Sequence, residues 1–225
     1  MFGTVENLKN RVKWIWFRLA HWGCRVFFIT LFFRLRVCGL ENIPADSAFV
    51  LISNHQSFLD PLIYWVLLKR HLYFLARNTL FANKFVNLFM SSLEMISIKR
   101  GEADLKAIRM VLAKFSEGNG VCLFPEGTRT PDGRIANFKP GFGLLCKKGD
   151  VPVVPVVIDG AFECWPKHHK IFRPGSKIVI TYGKAITAEQ IKGMSNIELA
   201  TSLTSTLRRM QNECRIKQGK EPYNY

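Results

Sequence analysis

The sequence predicts an α/β fold: one domain with a largely parallel or mixed sheet flanked by helices. Three observations predict it. Short apolar runs of strand length alternate with helical segments along most of the chain. The 225 residues give room for one domain and a short appendage. Hydrophobic residues make up 48%, which supplies a full core and excludes wholesale disorder. No repeat of solenoid length is visible.

The elements follow in order. Ala48–Ser53 (AFVLIS) is an apolar run that reads as a buried strand. Asp60-Pro61 resembles a helix N-cap followed by proline in the first turn, leading into LIYWVLL. Leu72–Ala76 reads as a second strand, and Thr79 caps a predicted helix running to Leu93. Met95–Ile98 is strand-like, and Ala103–Phe115 has helical spacing that stops at Gly118-Asn119-Gly120. Val121–Phe124 is another short strand. Val151–Ile158 is strand-like, but Pro152 and Pro155 argue for an edge or an irregular ladder. Ile178–Tyr182 alternates. Ala200, Leu203, Leu207, Met210 and Cys214 form the apolar stripe of a C-terminal helix.

The N-terminus differs from the rest. Lys9, Arg11, Lys13, Arg18, Arg25, Arg34 and Arg36 meet no acid between Glu6 and Glu41. Trp14, Trp16, Phe17, Trp22, Phe27, Phe28, Phe32 and Phe33 crowd the same stretch. Arg18 and Arg25 interrupt any signal-peptide centre. Each would also cost about 2.5–3.5 kcal/mol at mid-bilayer, which argues against a span. Arg11, Arg18 and Arg25 recur every seven residues and form one helical stripe. The pattern suits a helix, or two helices broken near Gly23, lying in a membrane interface. Residues 1–40 are thus expected to be a basic, aromatic, membrane-associating helical segment, and residues 41–225 the α/β domain.

The chain carries 32 lysines and arginines against 17 acids, a formal net charge of +15. Such a surface favours anionic partners: nucleic acid, an acidic membrane or a phosphorylated substrate. No zinc-finger, RRM or KH signature supports nucleic acid. The six cysteines are widely spaced without C-x-x-C, so reduced thiols are expected. His168 and His169 lack a metal-ligand pattern, and no metal is expected.

Two loops follow strands, where sites gather in α/β sheets. The first is Asn54-His55-Gln56-Ser57-Phe58-Leu59-Asp60. A histidine with a nearby carboxylate makes an oriented general base, and a turn into a helix can bring His55 and Asp60 together. The plain alternative has Asp60 as a cap and His55 as an ordinary loop residue. Ser57 is near but sits on no G-x-S-x-G elbow. The second loop is Phe124-Pro125-Glu126-Gly127-Thr128-Arg129. Gly127 allows close backbone approach, Thr128 adds a hydroxyl, and Arg129 can grip phosphate oxygens bidentately. Two roles fit Glu126: holding Arg129 or contacting a substrate hydroxyl. A turn with a surface ion pair is the plain reading. Arg134 and Lys139 continue the basic character. No nucleotide-binding glycine loop is present.

NHQSFLD and FPEGTR, roughly 70 residues apart, resemble the glycerolipid acyltransferases of the 1-acyl-sn-glycerol-3-phosphate acyltransferase type. Ile98-Lys99-Arg100 is similar to that family's I-x-R segment, and Val151–Val156 to its V-P-x-x-P block. One departure is Arg77-Asn78-Thr79-Leu80, where relatives often carry K-x-E-L.

The resemblance implies transfer of a fatty acyl group from a thioester, acyl-CoA or acyl carrier protein, to the hydroxyl of a lysophospholipid, giving phosphatidic acid. No cofactor is implied beyond that co-substrate. His55 would be the general base and Asp60 its orienting partner. Arg100 and Arg129, with Lys139, would hold the acceptor phosphate in a pocket shaped by Glu126, Gly127 and Thr128. Partners would be membrane lipid, an anionic membrane surface and an acyl thioester, with the protein on the cytoplasmic face. Trp165–Lys170 is a candidate second contact with membrane or coenzyme A. Rival readings are another lysophospholipid or glycerol 3-phosphate as acceptor, a thioesterase, and a nucleic-acid binder.

Overall fold

A computed structural model describes residues 19, 22–23, 34–78, 95–98, 105–167, 169 and 173–225. The strands are β1 (Arg34–Cys38), β2 (Phe49–Ser53), β3 (Leu72–Arg77), β4 (Met95–Ile98), β5 (Gly120–Leu123), β6 (Val153–Asp159) and β7 (Lys177–Tyr182). The described helices are α1 (Asp60–Leu67), α2 (Leu105–Ser116), α3 (Phe142–Gly149), α4 (Ala161–Cys164), α5 (Ala188–Lys192) and α6 (Asn196–Lys217). The strands form one seven-stranded sheet in the order β1-β7-β6-β2-β5-β3-β4. All pairings are parallel except β6 with β7. The expected α/β sheet is therefore present and mixed.

Central strands read as unbroken apolar runs because both sheet faces are covered. Along β2, Phe49 and Leu51 point into one core with Ile63, Tyr64 and Trp65 of α1. Val50 and Ile52 point into the other, with Val111 and Phe115 of α2 and Leu203 and Leu207 of α6. Truncating a core residue such as Leu51 to alanine would cost about 2–5 kcal/mol. The Phe49 ring lies across Gly120, where a Cβ would come within 2.4 Å of it. Only glycine fits at the start of β5.

The C-terminal stripe is buried as expected, and α6 opens with a capping box between Ser195 and Glu198. The short helix α5 carries a second such box, between Thr187 and Gln190.

Three expectations change. The strand containing Pro155 is interior, with every residue of β6 buried between β2 and β7. The other alternative, an irregular ladder, holds: regular antiparallel pairing stops at Val156 with Tyr182 and resumes as an isolated bridge between Val153 and Ile186, with the missing N–H of Pro155 in the gap. Its carbonyl still accepts Gly183 N at 2.8 Å. Second, residues 34–38, placed with the helical N-terminal segment, form edge strand β1 paired with β7. Third, Asp60 does not cap its helix: it is the first helical residue, and the preceding Leu59 makes no side-chain cap.

The predicted helix over 79–93 lies outside the described residues, as does nearly all of residues 1–33. Among the described residues of that segment, Leu19 and Trp22 are exposed. Among the described residues, no helix is long and apolar enough to cross a membrane.

Candidate active site

β2 and β5 are adjacent and parallel, so the loops after them leave the same end of the sheet side by side. Topology thus joins two segments that are far apart in sequence.

His55 Nδ1 lies 2.8 Å from Asp60 Oδ2. The same oxygen accepts the backbone N–H of Gln56 at 2.6 Å and of Ser57 at 2.8 Å. Asp60 is fully buried, and its Oδ1 has no hydrogen-bond partner. A carboxylate oxygen facing two amides makes the His55 nitrogen a third donor. Nδ1 therefore carries the proton and Nε2 the lone pair. The His55 side chain is 20% exposed, so Nε2 is the atom able to take a proton from a bound molecule.

The second loop fixes His55 from behind. Its ring stacks on Phe124 with centroids 4.2 Å apart. Glu126 Oε1 accepts His55 N–H at 2.7 Å, and Thr130 N–H donates to the His55 carbonyl at 2.8 Å. Glu126 Oε2 accepts Ala136 N–H at 2.9 Å. The carboxylate that sequence alone assigned to Arg129 or to a substrate hydroxyl thus braces backbone in both loops. Burial pushes the Glu126 carboxyl up to about 7, against the lowering effect of those two amides.

Arg129 reaches the first loop, with its guanidinium carbon 3.3 Å from the Phe58 ring centroid. Its Nη1 is buried and has no hydrogen-bond partner. Gly127 adopts φ +71°, a left-handed conformation natural to glycine, and a Cβ there would lie 3.4 Å from Lys139 Nζ. Thr128 Oγ1 accepts from Lys167 Nζ at 3.2 Å. Gly127 thus lies against Lys139, Thr128 meets Lys167, and Arg129 meets Phe58 of the first loop, while Arg100 lies outside the described residues.

Ser57 is no nucleophile for His55, since its hydroxyl donates to the Trp165 carbonyl at 3.1 Å. The five described cysteines are free. Burial raises the thiols of Cys122, Cys146, Cys164 and Cys214, which keeps them protonated. Among the described residues, no three His, Cys, Asp or Glu side chains gather to hold a metal.

Several supporting residues carried no sequence signal beyond their polarity inside apolar surroundings. Asn54 pairs with both backbone groups of Ile158 at 2.9 Å, extending the β2–β6 contact past the strand. Gln56 accepts from Ala161 and Phe162 N–H and donates to the Gly133 carbonyl at 3.1 Å. Gln211 of α6 donates to that same carbonyl at 3.0 Å.

The family model described as Acyltransferase matches residues 34–159, more than half of the chain. The chain belongs to the acyltransferase family. Its match begins at the first residue of β1 and ends at the last of β6. A chloroplastic 1-acyl-sn-glycerol-3-phosphate acyltransferase of Arabidopsis thaliana is 33% identical over 156 residues, covering 68% of this chain and 41% of that protein. The 1-acyl-sn-glycerol-3-phosphate acyltransferase of Bacillus subtilis is 26% identical over 185 residues, 81% of this chain and 89% of that one. The crystal structure of the 1-acyl-sn-glycerophosphate acyltransferase PlsC from Thermotoga maritima aligns with a TM-score of 0.75. It is 30% identical, with 88% of this acyltransferase chain and 79% of the other covered. The chain spans less than half the length of the plant relatives from Arabidopsis thaliana and Brassica napus.

Proposed function

We propose that the chain transfers a fatty acyl group from an acyl thioester to the free hydroxyl of 1-acyl-sn-glycerol 3-phosphate, forming phosphatidic acid. The observation that carries this reading is the pairing of His55 with Asp60 beside an Arg129 whose buried Nη1 lacks a partner. A general base and an anion-binding cation are what a hydroxyl-bearing phosphate ester needs. Similarity to proteins named for this reaction supports the acceptor.

His55 Nε2 takes the hydroxyl proton as the oxygen attacks the thioester carbonyl. Asp60 keeps Nδ1 protonated and stabilises the imidazolium. The tetrahedral intermediate expels the thiolate, which recovers the proton from Nε2. An ester bond forms and a thioester bond breaks. No acyl-enzyme and no cofactor is required, because the thioester is already activated. Arg129 and Lys139 hold the phosphate, with Arg100 assigned to the same task by motif. Gly127 lets the phosphate approach the backbone, and Thr128 adds a hydroxyl. Either coenzyme A or acyl carrier protein serves as the thiol carrier in this reading. The arginine-striped, aromatic segment before β1 holds the domain at an anionic, cytoplasm-facing membrane surface, where the lysolipid resides.

Purified protein assayed with labelled acyl thioesters and a panel of lysolipids tests the proposal. Acylation of 1-acyl-sn-glycerol 3-phosphate, lost in His55→Ala, is expected. Fatty acid release without any lysolipid would identify a thioesterase instead. Preference for another acceptor in the panel would overturn the substrate assignment.

A further inference from the structure

We propose that Phe58 is a positioning residue for anion capture: its ring holds the Arg129 guanidinium face-on and leaves the edge of that cation open to a phosphate. The acceptor's identity rests on the function proposed above, whereas the pairing of Phe58 with Arg129 rests on geometry alone. The guanidinium carbon lies 3.3 Å from the ring centroid, within the range of a cation–π contact.

No neighbouring carboxylate hydrogen-bonds Arg129, although the Asp60 charge, whose Oδ1 is unpartnered, acts on it through space. Glu126 is bound to the amides of His55 and Ala136. Asp60 Oδ2 is bound to His55, Gln56 and Ser57. A carboxylate on Arg129 would occupy its N–H fork and cancel its charge. An aromatic face fixes the same cation without using a donor, so the fork stays free for a second anion. Nη1 itself is buried with no partner, so a phosphate meets the partly exposed guanidinium at its other nitrogens.

Phe58 is 49% exposed. It is nevertheless firmly placed. Asp60 Oδ2 anchors the two amides before it, and the Trp165 ring supports it at 5.4 Å. The plain alternative is that Phe58 merely covers Trp165. The two differ in what the ring must be: covering needs area, and holding a guanidinium needs a π face.

Phe58→Leu keeps most of the area and removes the π face, and Phe58→Tyr keeps both. Each is titrated with inorganic phosphate by calorimetry, and each is assayed with 1-acyl-sn-glycerol 3-phosphate. F58L is expected to weaken phosphate binding and raise the acceptor KM about 3- to 10-fold, from the strength of a part-exposed cation–π contact. The thioester KM and kcat should move less, and F58Y should restore both readouts. Should F58L fail to fold, Phe58→Trp replaces it, and binding tighter than or equal to the wild type is expected. Phosphate binding unchanged in F58L, weaker in F58W, or absent from the wild type overturns the pairing. Wild-type protein that binds phosphate, responds to F58L and ignores every lysolipid would overturn the proposed acceptor and support the pairing. Lysolipid turnover with F58L indifferent overturns the pairing alone.

Discussion

Glu126 Oε1 accepts the backbone N–H of His55 at 2.7 Å, and its Oε2 accepts that of Ala136. The glutamate of the second loop therefore sets the position of the histidine of the first. In Glu126→Gln one amide would meet an NH₂ group in place of an acceptor. Loss of that bond is expected to cost about 1–3 kcal/mol. The displaced His55 should lower kcat more than it changes either KM. Steady-state kinetics and thermal denaturation of the variant check both outcomes.

The same carboxyl gives a pH signature. It titrates near 4.5 when unfolded and at about 7 in the folded protein, because burial disfavours its charge. Between those values the unfolded chain binds fewer protons, so the Glu126 contribution to stability falls as pH rises and levels off above about 7. Below 4.5 both states are protonated and the contribution is complete. The stability of the wild type minus that of Glu126→Gln, measured by denaturant titration, should decline across that window. A difference independent of pH would refute the assignment.

His55→Ala is expected to fold and to lose about 10²–10⁴-fold in acyl transfer, the usual worth of a general base. Asp60→Asn should lose activity and stability together. Its Oδ2 also anchors Gln56 and Ser57 N–H, and a neutral amide oxygen in its place is a weaker acceptor for all three donors. Near-normal turnover by His55→Ala would remove it from the mechanism.

Arg129→Ala should raise the acceptor KM, since a charge-assisted contact of about 1.5–3 kcal/mol is removed. Arg129→Lys should recover only part, because an ammonium lacks the planar fork and lies poorly on the Phe58 face. A change confined to the thioester KM would reassign the residue.

Tyr225 Oη accepts Ile135 N–H at 3.1 Å and donates to Gln211 Oε1. Tyr225→Phe leaves that amide without its partner, next to the Ala136 amide that anchors Glu126. A loss of about 1–2 kcal/mol in stability is expected. Denaturant titration of the variant reads it directly, and an unchanged midpoint would show that water replaces the hydroxyl.

Removal of residues 1–33 keeps β1 intact. It should abolish flotation with anionic vesicles while leaving activity on dispersed short-chain substrates. High salt should weaken, but not abolish, vesicle binding by the whole chain, because it screens charge and leaves aromatic burial untouched. A truncated protein that still floats would place the anchor elsewhere.

Much of the sheet was legible because apolar runs such as FVLIS and GVCL need cover on both faces. The two loops were legible because they follow such runs. β1 was not, since Arg34, Leu35, Arg36 and Val37 alternate as a strand does but continue an arginine-rich aromatic segment. Proline left β6 open between an edge and an irregular ladder, because the sequence does not reveal which side of the strand the missing N–H faces; the ladder is irregular and the strand interior. The braces were hidden for another reason. Glu126, Gln56 and Gln211 act on backbone groups of distant segments, and polarity alone does not name a distant partner. Gln211 lies on a helix whose apolar stripe was plain, but its own burial came only with the fold.

The sheet order carries an evolutionary consequence. β3 and β4 lie on the far side of β5, although they fall between β2 and β5 along the chain. Residues gained or lost in that excursion lengthen or trim one flank of the sheet and leave β2 beside β5. The two chemical loops are thus insulated from the part of the gene that separates them. Length can vary on that flank by insertion and deletion while the His55–Asp60 geometry is kept.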